Sequence, residues 1–410
     1  MSESTVTVGN SGPKVRSDCE ITLQMKSEGG VTIELKSKVR ALYGLSITNQ
    51  CHEILNYFGI SNAFLRIDDS GALPFVIAAR LESAIKKLVS TELEYLPELI
   101  EENKYFTTKE RFRITRLYLP GNTPSLMINA GLHSPDGIIL DLEDSVAPDK
   151  KDEARLLVRN ALRQVNFYHA ERMVRINQGE KGLEDLCYVI PHNVNLVLIP
   201  KCESPENIQK VETRISEIRN MFGLTSQVHL MPIIETPMGV ERSFEIASSS
   251  ENVVAIAIGL EDLTADLGVT RTSEGNESFY ARSRIIMAAK AAGVQPIDSV
   301  FSDVADTVGL RKNVSASKSL GFEGMGCIHP RQIPVIRQGF SPGTEEIEKS
   351  QKIILAYEDA MKKGLGVVAL GSKMIDPPVV AHAQKTILLA IRMGLLSGSW
   401  LEEANTEKVK

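Results

Sequence analysis

Between about residues 170 and 265, charged side chains follow short apolar runs. Glu235 ends the run LMPIIET, Asp262 follows VVAIAIG, and Arg175 lies in MVRIN. Two carboxylates at the ends of neighbouring strands can share Mg²⁺, which takes few protein carboxylates and keeps places for water and substrate oxygens. A planar guanidinium binds a carboxylate through two parallel hydrogen bonds. Together these residues predict a site for a hydroxy or oxo acid, chelated by metal and held by arginine.

Each of these residues also has a structural interpretation. Glu235 could cap the helix that follows it, and Asp262 could be the N-cap of the next helix. Glu261 and Asp266 are competing ligands beside Asp262. Arg175 could belong to a structural ion pair. The assignment of Glu235 and Asp262 as Mg²⁺ ligands is therefore a hypothesis, and it requires a fold that brings the two side chains together.

Composition disfavours several other classes of function. Histidine occurs only seven times and no Ser/His/Asp set is evident, which disfavours nucleophilic hydrolysis. One of these histidines, His329, is interpreted as a residue of the core or of the rim. The five cysteines are scattered without a CxxC pair, which disfavours a disulfide framework or structural zinc site. A net charge of −6 gives no basic footprint for nucleic acid. No apolar stretch spans a bilayer and no signal core opens the chain, so a cytoplasmic protein is expected.

The elements that must position these residues form a repeating pattern. From about residue 117, continuous apolar runs alternate with helical segments, as buried parallel strands do. The pattern predicts a (β/α)₈ TIM barrel, in which functional groups lie at the carboxyl ends of the strands. A doubly wound open sheet is the alternative, but LYLPGNTPS lacks the glycine-rich phosphate turn of that fold. The eight predicted strands are LYLPG, GIILDLE, MVRIN, LVLIP, LMPIIET, VVAIAIG, PIDSVF and GMGCIHP.

A different pattern precedes the barrel. Residues 1–19 are predicted to be a mobile arm, followed by a hairpin of EITLQMK and VTIELKS around Gly29-Gly30. A helix ending at Gly59, a strand, an Asp-Asp-Ser-Gly turn, a further strand and a helix complete a small α+β domain. We expect this domain at 1–92, a linker at 93–113, the barrel at 114–340 and a C-terminal helical extension at 341–410.

Separated blocks in the barrel region resemble the β subunit of citrate lyase and the related malyl-CoA and citramalyl-CoA lyases. The resemblance implies that Glu235 and Asp262 ligate Mg²⁺, that Arg175 binds the oxo-acid part of the substrate, and that Arg116 adds a second basic contact. It further implies that Asp376 is an acid/base residue delivered from a neighbouring subunit of a homo-oligomer, a trimer or hexamer; the alternative is a helix cap. The blocks are RLYLPGN, ILDLEDSVAPDKKDEAR, VRIN, PIIETPMG, GLEDLTADLG, GCIHPRQI and GSKMIDPP.

The N-terminal domain is similar to the acyl carrier protein of citrate lyase, through SDCEITL, IELKSKV and RIDDSGALPFVIAARLESA. This resemblance implies a covalent phosphoribosyl-dephospho-CoA arm on Ser17, with Ser11 as the alternative position, and an α (CoA-transferase) subunit as partner. The implied reaction is cleavage of a citryl thioester to oxaloacetate and an acetyl thioester. The alternatives are a lyase acting on free citramalyl-CoA or malyl-CoA, a carrier or scaffold subunit, and a pyruvate-type aldolase.

Overall fold

The chain forms two compact units, one up to Ile336 and one from Arg337 onward. A computed structural model describes residues 4–362, 364, 368–370 and 373–407. The first unit contains a small N-terminal domain and a barrel. The finer boundaries expected from the sequence, at 92, 113 and 340, stay predictions.

The N-terminal domain is a four-stranded sheet with two helices. Its strands lie in the order β1-β2-β4-β3, with β2 antiparallel to β4 and β3 parallel to β4. The connection between the parallel strands passes through the first helix, as such a crossover requires. A core of apolar side chains from the sheet and both helices holds the domain together. The elements are β1 (Thr5–Gly9), β2 (Cys19–Met25), β3 (Val31–Ser37), α1 (Arg40–Tyr57), β4 (Ala63–Asp69) and α2 (Pro74–Leu88).

Three predictions for this domain are wrong. Residues 1–19 are not an arm throughout, because Thr5–Gly9 pairs antiparallel with β2. The β2–β3 hairpin does not form, because β4 inserts between the two strands and pairs with both. No strand follows the turn after β4, since Pro74 starts a helix that continues to Leu88.

The barrel strands are those predicted, and all eight are confirmed. They are parallel in the order β11-β10-β9-β8-β7-β6-β5-β12, and a parallel bridge between Asp298 and Met325 connects the two edges. The carboxyl ends of all eight strands therefore meet on one face. The strands are β5 (Thr115–Pro120), β6 (Gly137–Asp141), β7 (Glu171–Arg175), β8 (Leu196–Ile199), β9 (His229–Ile234), β10 (Ala255–Ile258), β11 (Gln295–Ile297) and β12 (Met325–Cys327).

Helices follow the barrel strands, with additional single turns of 3₁₀ helix between some of them. Their amphipathic faces cover the sheet, whose interior is filled by apolar side chains from alternating positions. The helices are α3 (Pro124–Met127), α4 (Lys151–Gln164), α5 (Gly179–Val189), α6 (Pro205–Phe222), α7 (Pro237–Glu241), α8 (Ser243–Ala247), α9 (Leu260–Asp266), α10 (Phe279–Ala292), α11 (Thr307–Leu320) and α12 (Gln332–Phe340).

In its described residues the second unit is largely helical. Helices α13 (Thr344–Lys362), α14 (Pro377–Arg392) and α15 (Trp400–Glu407) share a core that includes Ile354, Ile387 and Trp400. The sequence did not indicate its short antiparallel pair, β13 (Val368–Leu370) and β14 (Lys373–Ile375).

Candidate active site

A cavity of about 330 Å³ opens at the carboxyl ends of the barrel strands. This is the face on which barrel enzymes carry their active sites. Four of the residues that we expected to act together line it, namely Arg116, Arg175, Glu235 and Asp262. They come from β5, from β7, from the position after β9 and from α9, so the strand order brings together side chains that are up to 146 positions apart in the sequence.

Glu235 follows β9 and is buried, with 3 % of its surface exposed. Its Oε1 accepts a hydrogen bond from the backbone N–H of Lys201 at 2.8 Å. Its Oε2 lies against Gly259, where a Cβ would come within 2.5 Å of that oxygen. Burial, reinforced by the negative charge of Asp262, raises the pKa of Glu235 to about 7. A carboxylate placed in this way favours a cation beside it.

Asp262 lies in the first turn of α9 and remains partly exposed. The Nζ of Lys201 lies 3.3 Å from its Oδ1. Lys201 thus contacts both carboxylates, Glu235 through its backbone and Asp262 through its side chain. Its φ of +44° is unusual for a residue with a side chain and orients the N–H toward Glu235. The sequence placed Lys201 at a strand end without indicating this role.

Arg175, at the end of β7, is held by carboxylates at the end of the neighbouring strand β6 and in the loop after it. Its Nε and Nη2 donate to the two oxygens of Asp141 at 2.6 and 2.7 Å, and Nη1 lies 3.0 Å from Glu143. Burial lowers the pKa of Arg175, but the hydrogen bonds and charge of Asp141 outweigh it and the net shift is upward. The ring of Tyr118 lies 5.6 Å from the guanidinium. The structural ion pair considered for Arg175 is therefore present, in a residue that also lines the cavity.

Arg116 is the second guanidinium of the cavity and is 1 % exposed. Its Nη1 lies 3.0 Å from the Sδ of Met231. Among the described residues, its Nε has no hydrogen-bond partner. Burial lowers the pKa of this arginine. A buried cation without a paired carboxylate is costly, which makes Arg116 a strong candidate for binding an anionic ligand.

The comparisons with known proteins place this arrangement in a family. Residues 115–330 match the family model described as HpcH/HpaI aldolase/citrate lyase. The chain belongs to this family. It is a lyase, with a second match at residues 5–88 to the acyl-carrier (ACP) model described as malonate decarboxylase delta subunit (MdcD).

Named relatives support the assignment. The lyase is 35 % identical to citrate lyase subunit beta of Leuconostoc mesenteroides subsp. cremoris, over 72 % of this chain and 99 % of that protein. It is 34 % identical to mitochondrial citramalyl-CoA lyase of Homo sapiens, over 67 % of this chain and 84 % of that protein. The CitE protein of Mycobacterium tuberculosis, solved with magnesium, acetoacetate and coenzyme A, superposes with a TM-score of 0.58 at 28 % identity. That match covers 69 % of this chain and 99 % of the CitE chain.

The donor set of the lyase fits Mg²⁺. Glu235 and Asp262 offer carboxylate oxygens just after the neighbouring strands β9 and β10, and the charge of Asp262 contributes to the raised pKa of Glu235, as closely placed carboxylates do. In the part of the chain that the structure describes, no three His, Cys, Asp or Glu side chains are grouped to hold a metal. Two protein carboxylates, with further positions left to water and substrate, are typical of Mg²⁺ rather than of a structural zinc.

Other predicted residues of the lyase lie elsewhere. His329 is half-buried after β12, and its Nδ1 accepts from the N–H of Arg331 at 3.1 Å, which agrees with a rim histidine. Ser17 lies in the loop between β1 and β2. Asp376 belongs to the second unit and caps α14, since its Oδ1 accepts from the N–H of Val379 at 3.2 Å.

No described helix is long and apolar enough to cross a membrane.

Proposed function

We propose that the lyase cleaves a citryl thioester carried on its own N-terminal domain, and that the products are oxaloacetate and an acetyl thioester. Two features of the chain support this proposal. One cavity combines a pair of carboxylates that fit a metal with two guanidinium groups. The observation that carries the choice of a tethered substrate is the match of residues 5–88 to an acyl-carrier family.

The proposed reaction breaks the bond between the hydroxyl-bearing carbon and the carbon next to the thioester carbonyl. The hydroxyl proton leaves to a base while its carbon becomes the carbonyl of the oxo acid. The electron pair of the broken bond passes to the acetyl fragment as an enolate, which then takes up a proton. Asp376, supplied by a neighbouring chain of a trimer or hexamer, is proposed to deliver that proton.

The cavity residues have separate tasks in this proposal. Arg175 binds and orients the oxo-acid half, with its guanidinium kept in place by Asp141. Arg116 neutralises a further substrate carboxylate. Glu235 and Asp262 would hold the metal ion. When bound, Mg²⁺ supplies Lewis-acid stabilisation of the negative charge that develops on substrate oxygens.

The metal-binding roles are tested with Glu235→Gln and Asp262→Asn. We expect both variants to lose Mg²⁺-dependent release of oxaloacetate and to bind Mg²⁺ more weakly in calorimetry. Asp266→Asn, on the same helix as Asp262 but exposed, is the matched control and should keep both properties. Near-normal turnover of the Glu235 and Asp262 variants would contradict the assignment.

The arm is tested by intact-mass measurement of the lyase purified from its native host. We expect an adduct with the mass of phosphoribosyl-dephospho-CoA that Ser17→Ala removes and Ser11→Ala retains. Persistence of the adduct in Ser17→Ala would move the attachment to another residue. The α (CoA-transferase) subunit is the proposed partner that loads this arm.

A lyase acting on free CoA thioesters is the second candidate function. The similarity to mitochondrial citramalyl-CoA lyase favours it. The Ser17→Ala protein, which lacks the arm, separates the two candidate functions. It should cleave free citramalyl-CoA or malyl-CoA at full rate only if the arm is dispensable.

A further inference from the structure

Helix α2 of the N-terminal domain is enclosed on two sides. Every residue from Phe75 to Ile85 is buried. Ile77, Leu81 and Ala84 belong to the apolar core of the domain itself. The opposite face packs on α4 of the barrel, where the Nδ2 of Asn160 donates to the backbone carbonyl of Phe75 at 3.1 Å. Helices that are buried all round occur inside a folded unit rather than on its surface.

Paired charges are buried in the same contact. The guanidinium of Arg159 on α4 donates to both oxygens of Glu82 on α2 at 2.9 and 2.6 Å, with both side chains fully buried. Arg159 also contacts Glu94 at 3.1 Å. Separating the domain from the barrel would leave these ions without their partners, which strongly disfavours release.

Arg80 joins three parts of the molecule at the end of this contact. Its Nε and Nη2 donate to the two oxygens of Asp18 at 3.0 and 2.9 Å. Its Nη1 lies 3.4 Å from the carboxylate of Glu153 on α4, and its Nη2 also donates to the carbonyl of Asn122 at 3.1 Å. The side chain is 1 % exposed. Asp18 directly follows Ser17, so Arg80 connects the loop of Ser17 with two points on the barrel.

Both barrel residues that Arg80 contacts, Asn122 and Glu153, lie on the face of the barrel that carries the cavity. Asn122 comes two residues after Pro120, which lines the cavity, and Glu153 lies in the first turn of α4, just after the loop that leaves β6. Glu153 additionally accepts from the N–H of Gly9 at 2.9 Å. The β1–β2 loop is thereby held at the carboxyl ends of β5 and β6.

Ser17 itself has a defined conformation within this loop. It is half-buried, with a φ of +55°, and its N–H donates to the carbonyl of Ser70 at 3.1 Å. The N–H of Ser70 donates in turn to the carbonyl of Asp18 at 3.0 Å. Ser17 is therefore fixed by the turn that follows β4 on one side and by the Asp18–Arg80 pair on the other.

We propose that the N-terminal domain is a fixed part of the lyase unit, and that Arg80 is the positioning residue that keeps Ser17 at the rim of the chain's own cavity. The part concerning delivery rests on the proposed function, in which Ser17 carries the acyl arm. An arm anchored at the rim holds its acyl group near the cavity at a high effective concentration, independent of enzyme concentration. The part concerning the fixed domain is independent of any activity.

The fixed domain is tested by a distance measurement that needs no substrate. Spin labels at Ser27→Cys and Ser216→Cys, both exposed, report on the N-terminal domain and the barrel in a full chain carrying Cys187→Ser. Labelled chains are diluted with unlabelled chains so that only distances within one chain are measured by pulsed electron resonance. We expect one narrow distance peak. A broad or multi-peaked distribution would overturn the proposal, whatever the enzyme turns over.

The positioning role is tested by comparing tethered and free substrates. Arg80→Gln should lower the turnover number for the tethered acyl group by about tenfold or more, as loss of effective concentration predicts. Its cleavage of a free acyl-CoA should stay within about twofold of the unsubstituted chain, because the cavity is intact. Arg80→Lys should restore part of the tethered rate, and Arg66→Gln, exposed on β4, is the matched control. An equal fall in turnover for the tethered and the free substrate, or no fall for either, would refute the positioning role of Arg80.

Delivery to the chain's own cavity is tested by mixing two inactive chains. Ser17→Ala keeps the cavity but lacks the arm, and Glu235→Gln keeps the arm but lacks a metal ligand. Hybrids formed by dissociating and reassociating the two should stay inactive. Recovered turnover in the hybrids would show that arms serve neighbouring barrels and would overturn the proposal. An unsubstituted, loaded chain without turnover would instead refute the proposed function and leave the distance result standing.

Discussion

At the scale of residues, Gly259 permits the close approach of Glu235. A Cβ at this position would come within 2.5 Å of the carboxylate oxygen. We expect Gly259→Ala to push Glu235 aside and to weaken Mg²⁺ binding by about tenfold, or about 1.4 kcal/mol. Calorimetric titration measures this change. Gly343→Ala, where a Cβ meets nothing within 4 Å, is the control and should bind as before.

Removing the charge of each cavity arginine should change the stability of the lyase in opposite directions. Arg116→Met should stabilise the ligand-free lyase by about 1–3 kcal/mol, because an unpaired buried cation disappears. Arg175→Met should destabilise it by about 3 kcal/mol, because Asp141 is then buried without its partner. Urea denaturation gives both values. A loss of stability in Arg116→Met would mean that its charge is compensated in the folded protein.

Glu235 should make the metal-free lyase less stable at neutral pH than in mild acid. Its pKa is raised to about 7 by burial and by Asp262, from an ordinary value of 4.5. Between these values the folded state binds the proton more tightly than the unfolded state, so this stabilisation is lost as pH rises toward 7. Relative to Glu235→Gln, we expect the metal-free lyase to lose on the order of 3 kcal/mol between pH 4 and pH 8.

Denaturant titrations of the lyase and its Glu235→Gln variant at several pH values measure this difference. Other titrating groups cancel in the comparison. Mg²⁺ should bind more weakly below pH 7, because the proton and the metal compete for the same carboxylate. Parallel stability curves for the two proteins would show that the pKa of Glu235 is unshifted.

The residue types of the site could be predicted from the sequence, whereas their partners could not. Arg175, Glu235 and Asp262 stand at the ends of apolar runs, and parallel strands bring such ends to one face. The contact of Lys201 with both carboxylates depends on a left-handed backbone angle, and the pairing of Arg175 with Asp141 depends on the register of β6 and β7. Neither contact can be predicted from a local sequence pattern.

At the scale of elements, the buried pair of Glu82 and Arg159 joins α2 to α4. Removing one partner, in Glu82→Met or Arg159→Met, should cost about 3–5 kcal/mol because a buried charge loses its counterion. The double variant Glu82→Met/Arg159→Met should cost less than the sum of the single changes. A double-mutant cycle by denaturation measures the coupling, and additive effects would contradict a direct interaction.

The strands of the barrel could be predicted, but the pairing in the N-terminal sheet could not. Barrel strands are buried on both faces and therefore form continuous apolar runs. The alternation in β2 and β3 is equally compatible with a hairpin and with a sheet in which β4 lies between them. The strand expected after the turn is instead the start of α2, whose first residues, PFVIA, are buried on two sides and form a continuous apolar run that does not distinguish a strand from a buried helix.

Asp376 caps a helix and is also proposed to act in the reaction. It caps α14 through the N–H of Val379. Asp376→Asn should keep the cap, since asparagine caps as well as aspartate, and should leave the melting temperature nearly unchanged. Turnover should fall strongly if the carboxyl group carries the proton. Full activity in Asp376→Asn would restrict Asp376 to its structural role.

At the scale of the whole molecule, the proposed sharing of Asp376 between chains predicts complementation. Inactive Asp376→Asn and inactive Glu235→Gln chains should regain activity after they are mixed into hybrids, because some sites then combine both intact residues. The expected recovery in an equal mixture is about one quarter of the unsubstituted rate if partners associate at random. Hybrids without activity would place Asp376 and Glu235 of one chain in the same site.

The contact between α2 and α4 also affects how the lyase is made. The ribosome releases Phe75 to Ile85 many residues before α4, the partner of that face, is complete. During that interval the newly made domain exposes apolar and charged groups that the finished protein buries. We therefore expect biosynthesis to pass through a stage prone to aggregation, which ends when the second strand of the barrel and its helix have emerged.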